Sequence, residues 1–112
     1  MQERLLVLWA SGDRTVAMNM VCMYTLNSKI NRWWKEITLL IWGASGDLLV
    51  NDPKLKEKVA EMQRAGVEVI ACKRCAENMG IVEKLEETGV KVFYTGEFLT
   101  EWLKSGSRLL TI

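Results

Sequence analysis

Two uninterrupted apolar runs, Leu5-Leu6-Val7-Leu8-Trp9-Ala10 and Ile37-Thr38-Leu39-Leu40-Ile41-Trp42, restrict the fold more than any other feature of the chain. A strand with one wet face alternates apolar and polar residues, whereas a strand buried on both faces does not. Val67-Glu68-Val69-Ile70-Ala71, leading into Cys72, and Val90-Lys91-Val92-Phe93-Tyr94 read as a third and a fourth strand. Arg108 to Thr111 reads as a fifth. Helical patterns separate these runs, so the expected class is α/β, with a five-stranded, mostly parallel sheet covered on both faces. Its crossovers should be right-handed.

The helical patterns carry recognisable ends. Residues from about Arg14 to Lys29 read as one helix, broken near Asn31. Ser45 is placed to cap a short helix running through Val50. Asn51 or Asp52 can cap the next, Pro53 suits its first position, and Gly66 stops it. Leu55, Val59 and Met62 share one face of that helix. Short helical segments flank Gly80, and the second ends at Gly89. Phe98, Leu99, Trp102 and Leu103 form a helical stripe that ends at Gly106.

The first helix is unusual. Val16, Met20 and Tyr24 can face the sheet, yet Met18, Cys22 and Met23 then lie to the sides or outside. A helix apolar around most of its circumference is buried all round. In a domain this small the outer face needs a partner subunit, so the 14–29 helix is expected to form a homo-oligomer interface. The adjacent Trp33 and Trp34 point the same way, because two such side chains before one strand seldom fit one core.

Length and charge exclude several classes. At 112 residues the chain is expected to form one domain, 1–112, with a real core. A net charge of +1 gives no field that implies nucleic acid or an anionic membrane as partner. No stretch approaches the ~20 apolar residues of a membrane span. Met1-Gln2-Glu3-Arg4 runs straight into an apolar segment without the regions of a signal peptide, so the expected location is cytoplasmic. The three cysteines are then expected as thiols unless they perform redox or sulfur chemistry. The absence of histidine removes Ser-His-Asp and Cys-His catalysis and every histidine-ligated metal. No cofactor or metal is expected.

In open α/β sheets reactive groups gather at the carboxyl ends of the strands. Four loops should meet there: Ser11-Gly12-Asp13, Gly43-Ala44-Ser45-Gly46, Cys72-Lys73-Arg74-Cys75 and Thr95-Gly96-Glu97. Only the third holds a strong nucleophile. Cys72 follows a strand and precedes a short helix, where amides favour a thiolate, and Lys73 and Arg74 add positive charge beside it. Such a thiolate can attack a sulfane sulfur, carry it as a persulfide and pass it on. The opposing reading is a buried cysteine acting as a small hydrophobe. Cys75 admits four readings: half of a thioredoxin-like dithiol, half of a zinc site needing two subunits, a resolving thiol for Cys72, or a packing residue. Cys22 sits among apolar neighbours and reads as core or interface. Ser11, Gly12, Gly43, Thr95 and Gly96 can offer free amides to a small anion, though none of these loops is a phosphate-binding motif.

The segment Cys72-Lys73-Arg74-Cys75-Ala76-Glu77-Asn78-Met79-Gly80-Ile81 resembles the cysteine segment of DsrE-like proteins, in which a cysteine after the third strand is followed by small residues, a glycine and an aliphatic residue. The likeness extends to the opening apolar strand, a first helix with Met and Tyr, an Ile-Trp-Gly strand end and a closing Phe-Leu-Thr-Glu-Trp-Leu helix with a final strand. The resemblance implies a three-layer α/β/α fold and trimeric or hexameric assembly. It implies for Cys72 a role as persulfide carrier between sulfur donor and acceptor proteins. At Cys75 the sequence departs from the alanine usual in such carriers. A sulfur carrier is therefore the leading expectation. A dithiol oxidoreductase using Cys72 and Cys75, and a non-catalytic oligomeric binding module, are the alternatives.

Overall fold

In the computed structural model, which describes residues 3–112, the apolar runs form five strands of one sheet. Met1 and Gln2, read above as part of the lead-in to the first strand, lie outside the described residues. The strands are β1 (Arg4–Trp9), β2 (Glu36–Ile41), β3 (Glu68–Cys72), β4 (Lys91–Phe93) and β5 (Arg108–Thr111). Their order is β4-β3-β2-β1-β5, and every neighbouring pair runs parallel. The sheet is thus wholly, not mostly, parallel among the described residues.

Helix α1 occupies residues 14–30 and joins β1 to β2. It is built of an α turn at Arg14–Val16, a π stretch at Ala17–Cys22 and an α stretch at Met23–Ile30. Helices α2 (Ser45–Val50) and α3 (Pro53–Ala65) join β2 to β3. Helices α4 (Lys73–Met79) and α5 (Val82–Glu87) join β3 to β4. Helix α6 (Gly96–Lys104) joins β4 to β5. The first three crossovers step one strand at a time in one direction. Right-handed connections of that kind place all their helices on one face. The last crossover reverses across the sheet, so its helix lies on the other face.

The core divides accordingly. Alternate residues of the central strands point to opposite faces, and the register aligns them in rows. Val7, Leu39 and Val69 form one row, and Trp9, Ile41 and Ala71 the next. Both rows are buried under α1 to α5 with Leu49, Leu55, Val59, Met62 and Leu85. On the other face Leu6, Leu40 and Ile70 are covered by Trp102, with Phe98 and Leu99 beside it. Helix α6 is pinned there by the Trp102 indole N–H, which donates to the Arg108 carbonyl (2.9 Å), and by the Arg4 guanidinium 4.2 Å from the Trp102 ring centre. Nine residues of helix cannot cover five strands, so Leu8, Trp42 and Phe93 stay half-buried and Leu103 is exposed.

Two local expectations are corrected. The residues of α1 that face the sheet are Ala17, Val21, Cys22, Thr25 and Ser28, not Val16, Met20 and Tyr24. Trp9, Val7 and Leu39 already fill the sheet surface, and close packing leaves room mainly for small side chains above them. Met20 and Met23, about half exposed, are left outside. Ser45 does not cap α2, whose N-cap is Ala44. Its hydroxyl instead donates to the Trp9 carbonyl (2.5 Å) and accepts from the Trp42 amide, tying the ends of β1 and β2. The α3 cap is Asp52, which accepts from the Lys54 and Leu55 amides, and Gly66 closes that helix at φ +102°, a left-handed conformation that side chains disfavour.

Leu39→Ala removes a side chain from the middle of the larger core and should destabilise the fold by about 2–5 kcal/mol, whereas Leu103→Ser on the exposed flank of α6 should change stability by less than about 0.5 kcal/mol. Urea unfolding of the two variants checks the contrast.

Candidate functional site

The carboxyl edge of the sheet is assembled by close backbone approach. Gly12 lies so near Ala44 that a Cβ there would stand 3.0 Å from the Ala44 Cβ, which locks the β1 and β2 loops together. Gly43 turns out of β2 at φ +64°. Cys72 is the last residue of β3, level with Phe93 of β4, and is also the N-cap of α4 with extended backbone (φ −71°, ψ 115°). Its neighbours are therefore the first amides of α4, the Gly43 loop beyond β2 and the Thr95 loop beyond β4.

Those neighbours set its electrostatics. Cys72 is buried, only 6% exposed, and burial pushes its thiol up. Hydrogen bonding from the Cys75 amide, the Cys75 thiol, the Thr95 hydroxyl and the Arg74 amide outweighs that and holds the thiol below its ordinary value. The Cys72 side chain makes no cap hydrogen bond of the ordinary kind to α4. Cys75 is half-buried and its thiol is pushed up, by burial first and then by its bond to, and the charge of, Cys72. The Gly43 amide opposes that shift. The pair thus divides into a Cys72 that gives up its proton more readily than an ordinary thiol and a Cys75 that holds it more tightly. Cys22 lies on the buried face of α1, where burial pushes its thiol up to about 11.

Thr95 contributes in an unexpected way. It is the N-cap of α6, a position where threonine hydroxyls normally accept from helix amides, yet it makes no such bond. The side chain is fully buried, and its oxygen has no conventional hydrogen-bond partner; its soft contact is with the Cys72 sulfur.

The expected site residues do not all meet. Cys72, Cys75, Gly43, Thr95 and the Arg74 backbone converge. Ser11 lies two strands away, where its amide and that of Ala10 donate to the Ile112 carbonyl (3.1 and 2.7 Å). Gly12 serves the edge by its packing on Ala44, and Gly96 is an exposed first residue of α6. The side chains of Lys73 and Arg74 do not set the Cys72 charge as expected. They lie over the Tyr94 ring, 5.2 and 5.6 Å from its centre, and Tyr94 donates to Glu77 (2.9 Å). Positions one and two residues into a helix point away from its N-cap side chain, so adjacency in sequence did not become adjacency in space. Tyr94 was missed because a strand-end aromatic reads as core. Among the described residues no group of three or more Cys, Asp or Glu gathers as a metal site. Surface hollows lie elsewhere, including one of about 470 Å³ lined by Glu3, Lys29, Arg32, Trp34 and Lys35 and one of about 510 Å³ beside Met20, Met23 and Trp33.

Thiolate absorbance titrated against pH should show a step below the ordinary 9.0 that Cys72→Ser removes and Thr95→Val moves upward. Because the folded chain holds this proton less tightly than the unfolded one, the Cys72 contribution to stability is complete above 9.0 and fades as pH falls through the folded value. The Cys22 step should lie at about 11 while the fold persists.

The chain matches none of the curated proteins. Among solved structures it is similar to a conserved protein of unknown function from Bacteroides thetaiotaomicron, at 39% identity and a TM-score of 0.96, covering 98% of this chain and 95% of that one. It also shares its fold with a protein of unknown function from Methanobacterium thermoautotrophicum (16% identity, TM-score 0.80, 99% and 100% covered) and with the ychN protein from E. coli (15% identity, TM-score 0.73, both chains covered completely). The DsrE/DsrF-like family matches residues 17–112, which include the Gly43 loop, Cys72, Cys75 and Thr95. With the three-layer architecture and the sequence in agreement over most of its length, the chain belongs to the DsrE/DsrF-like family.

Proposed function

We propose that this protein is a sulfur carrier that accepts and donates persulfide sulfur on Cys72. The observation that carries the reading is a cysteine at the carboxyl end of a central parallel strand whose sulfur gathers two helix amides, a thiol and a hydroxyl. A thiolate is the nucleophile in sulfur exchange, and this arrangement favours the thiolate. Family membership supports the reading, because DsrE/DsrF-like proteins are generally associated with sulfur relay. Cys72 attacks the outer sulfur of a donor persulfide, the donor thiolate leaves, and an acceptor thiolate later takes the sulfur by the same exchange. At 6% exposure the site must open to a partner for each transfer.

Incubation with a small-molecule persulfide donor should add one sulfur, at least transiently, to the intact mass of the protein and none to Cys72→Ser. A folded wild type that never gains sulfur, even transiently, would defeat the proposal.

One observation favours a second reading. The division into a low-pKa Cys72 and a high-pKa Cys75 in contact is also the pattern of a dithiol oxidoreductase. That reading requires both cysteines for reduction of a protein disulfide such as insulin.

The proposal extends to assembly. Met20, Met23, Ile30 and Trp33 are 45–60% exposed on one side of the molecule, and a hollow beside Met20, Met23, Tyr24 and Leu110 is mostly apolar. An apolar surface of this kind marks an interaction site. Copies of the chain are proposed to meet there, through the 14–29 helix, as a trimer or hexamer. Sedimentation should give a mass above the monomer, and Met20→Glu with Met23→Glu should shift it to the monomer without unfolding the chain.

A further inference from the structure

Cys75 has a role that carrying sulfur does not require. It stands one helical turn from Cys72, with its thiol beside the Cys72 sulfur and the Gly43 amide on its other side. Strand β3 lies between β2 and β4. Cys75 leans towards the Gly43 loop beyond β2, while Thr95 approaches Cys72 from beyond β4. Cys72 is thus flanked by a thiol on one side and, on the other, by a fully buried hydroxyl with no conventional partner. Displacement at sulfur needs the attacking and leaving sulfurs on opposite sides of the sulfur attacked. The elements on the β2 and β4 sides of β3 can supply those two positions.

We propose that Cys75 discharges the Cys72 persulfide internally, releasing sulfide and leaving a Cys72–Cys75 disulfide, with the Thr95 hydroxyl holding the departing sulfur. The inference rests on the carrier reading and adds a reaction to it. The Cys75 sulfur attacks the inner sulfur of the persulfide. One S–S bond breaks as another forms. The terminal sulfur leaves as sulfide and takes up the proton that Cys75 gives up. The sulfane sulfur is reduced, Cys75 supplies the reducing thiol, and a dithiol reductant reopens the disulfide for another round. The Gly43 amide favours the Cys75 thiolate at the moment of attack. Persulfide lifetime then depends on whether an acceptor arrives before Cys75 reacts.

The test treats reduced protein with inorganic polysulfide, removes the excess, and follows intact mass and released sulfide. Wild type should pass quickly to an internal disulfide, while folded Cys75→Ser should keep one added sulfur and release sulfide at least about tenfold more slowly, the advantage of a positioned thiol being lost. Thr95→Val should slow release with Cys75 present, and Thr95→Ser should restore it. Wild type that keeps its added sulfur as long as Cys75→Ser does would overturn the discharge and leave the carrier standing. Failure of Cys75→Ser to gain sulfur, with wild type reaching no disulfide, would overturn both.

Discussion

Val7, Leu39 and Val69 lie in register across three adjacent parallel strands, and the rest of the structure depends on keeping that row and its counterpart on the opposite face out of water. A parallel ladder needs a crossover for every strand, and each crossover supplies the helix that hides part of a face. The three short-range crossovers cover one side thoroughly, and the returning one covers the other with a single helix. The same geometry brings every strand-to-helix turn to one edge. Cys72 owes its position to this arrangement: the strand delivers it to the rim, and the crossover helix starts at once and presents its amides.

At that rim two opposing effects decide the chemistry. Burial at 6% exposure favours the neutral thiol, and the surrounding donors favour the anion. The donors win at Cys72. Cys75, with fewer donors and Cys72 beside it, holds its proton more tightly than an ordinary thiol. Cys22, on the buried face of α1 where the Lys58 charge only partly offsets burial, is held neutral more firmly still. Three thiols in one small chain are thereby given three different characters by their surroundings. The buried Thr95 hydroxyl, withheld from capping α6, belongs to the same balance.

Much of this was legible in the residues. The strands were plain because fully buried parallel strands are written as apolar runs, and β4 shrank to Lys91–Phe93 only at its ends. Asp52, Pro53 and Gly66 marked α3 because capping chemistry is local. Strand order was not legible: five similar apolar runs carry no label for their neighbours, and a parallel register is set by crossovers instead of tight turns. The sheet-facing side of α1 is not legible, because large apolar residues ordinarily point inward, whereas the crowded sheet admits Ala17, Thr25 and Ser28. Cys72 was identifiable from its place after a strand. The bond from the Gly43 amide to Cys75 and the approach of Thr95 to Cys72 are not legible, since they come from loops on either side, and Lys73 and Arg74 are neighbours of Cys72 in the chain but turn to Tyr94 in space.

The outermost strands add a final consequence. β4 has three residues and β5 four, and each begins with a cation, Lys91 and Arg108. Short, charged margins offer little backbone for another chain to zip onto. The protein can therefore crowd together through side-chain surfaces without the sheet growing into a continuous ribbon, which separates orderly association from fibre formation.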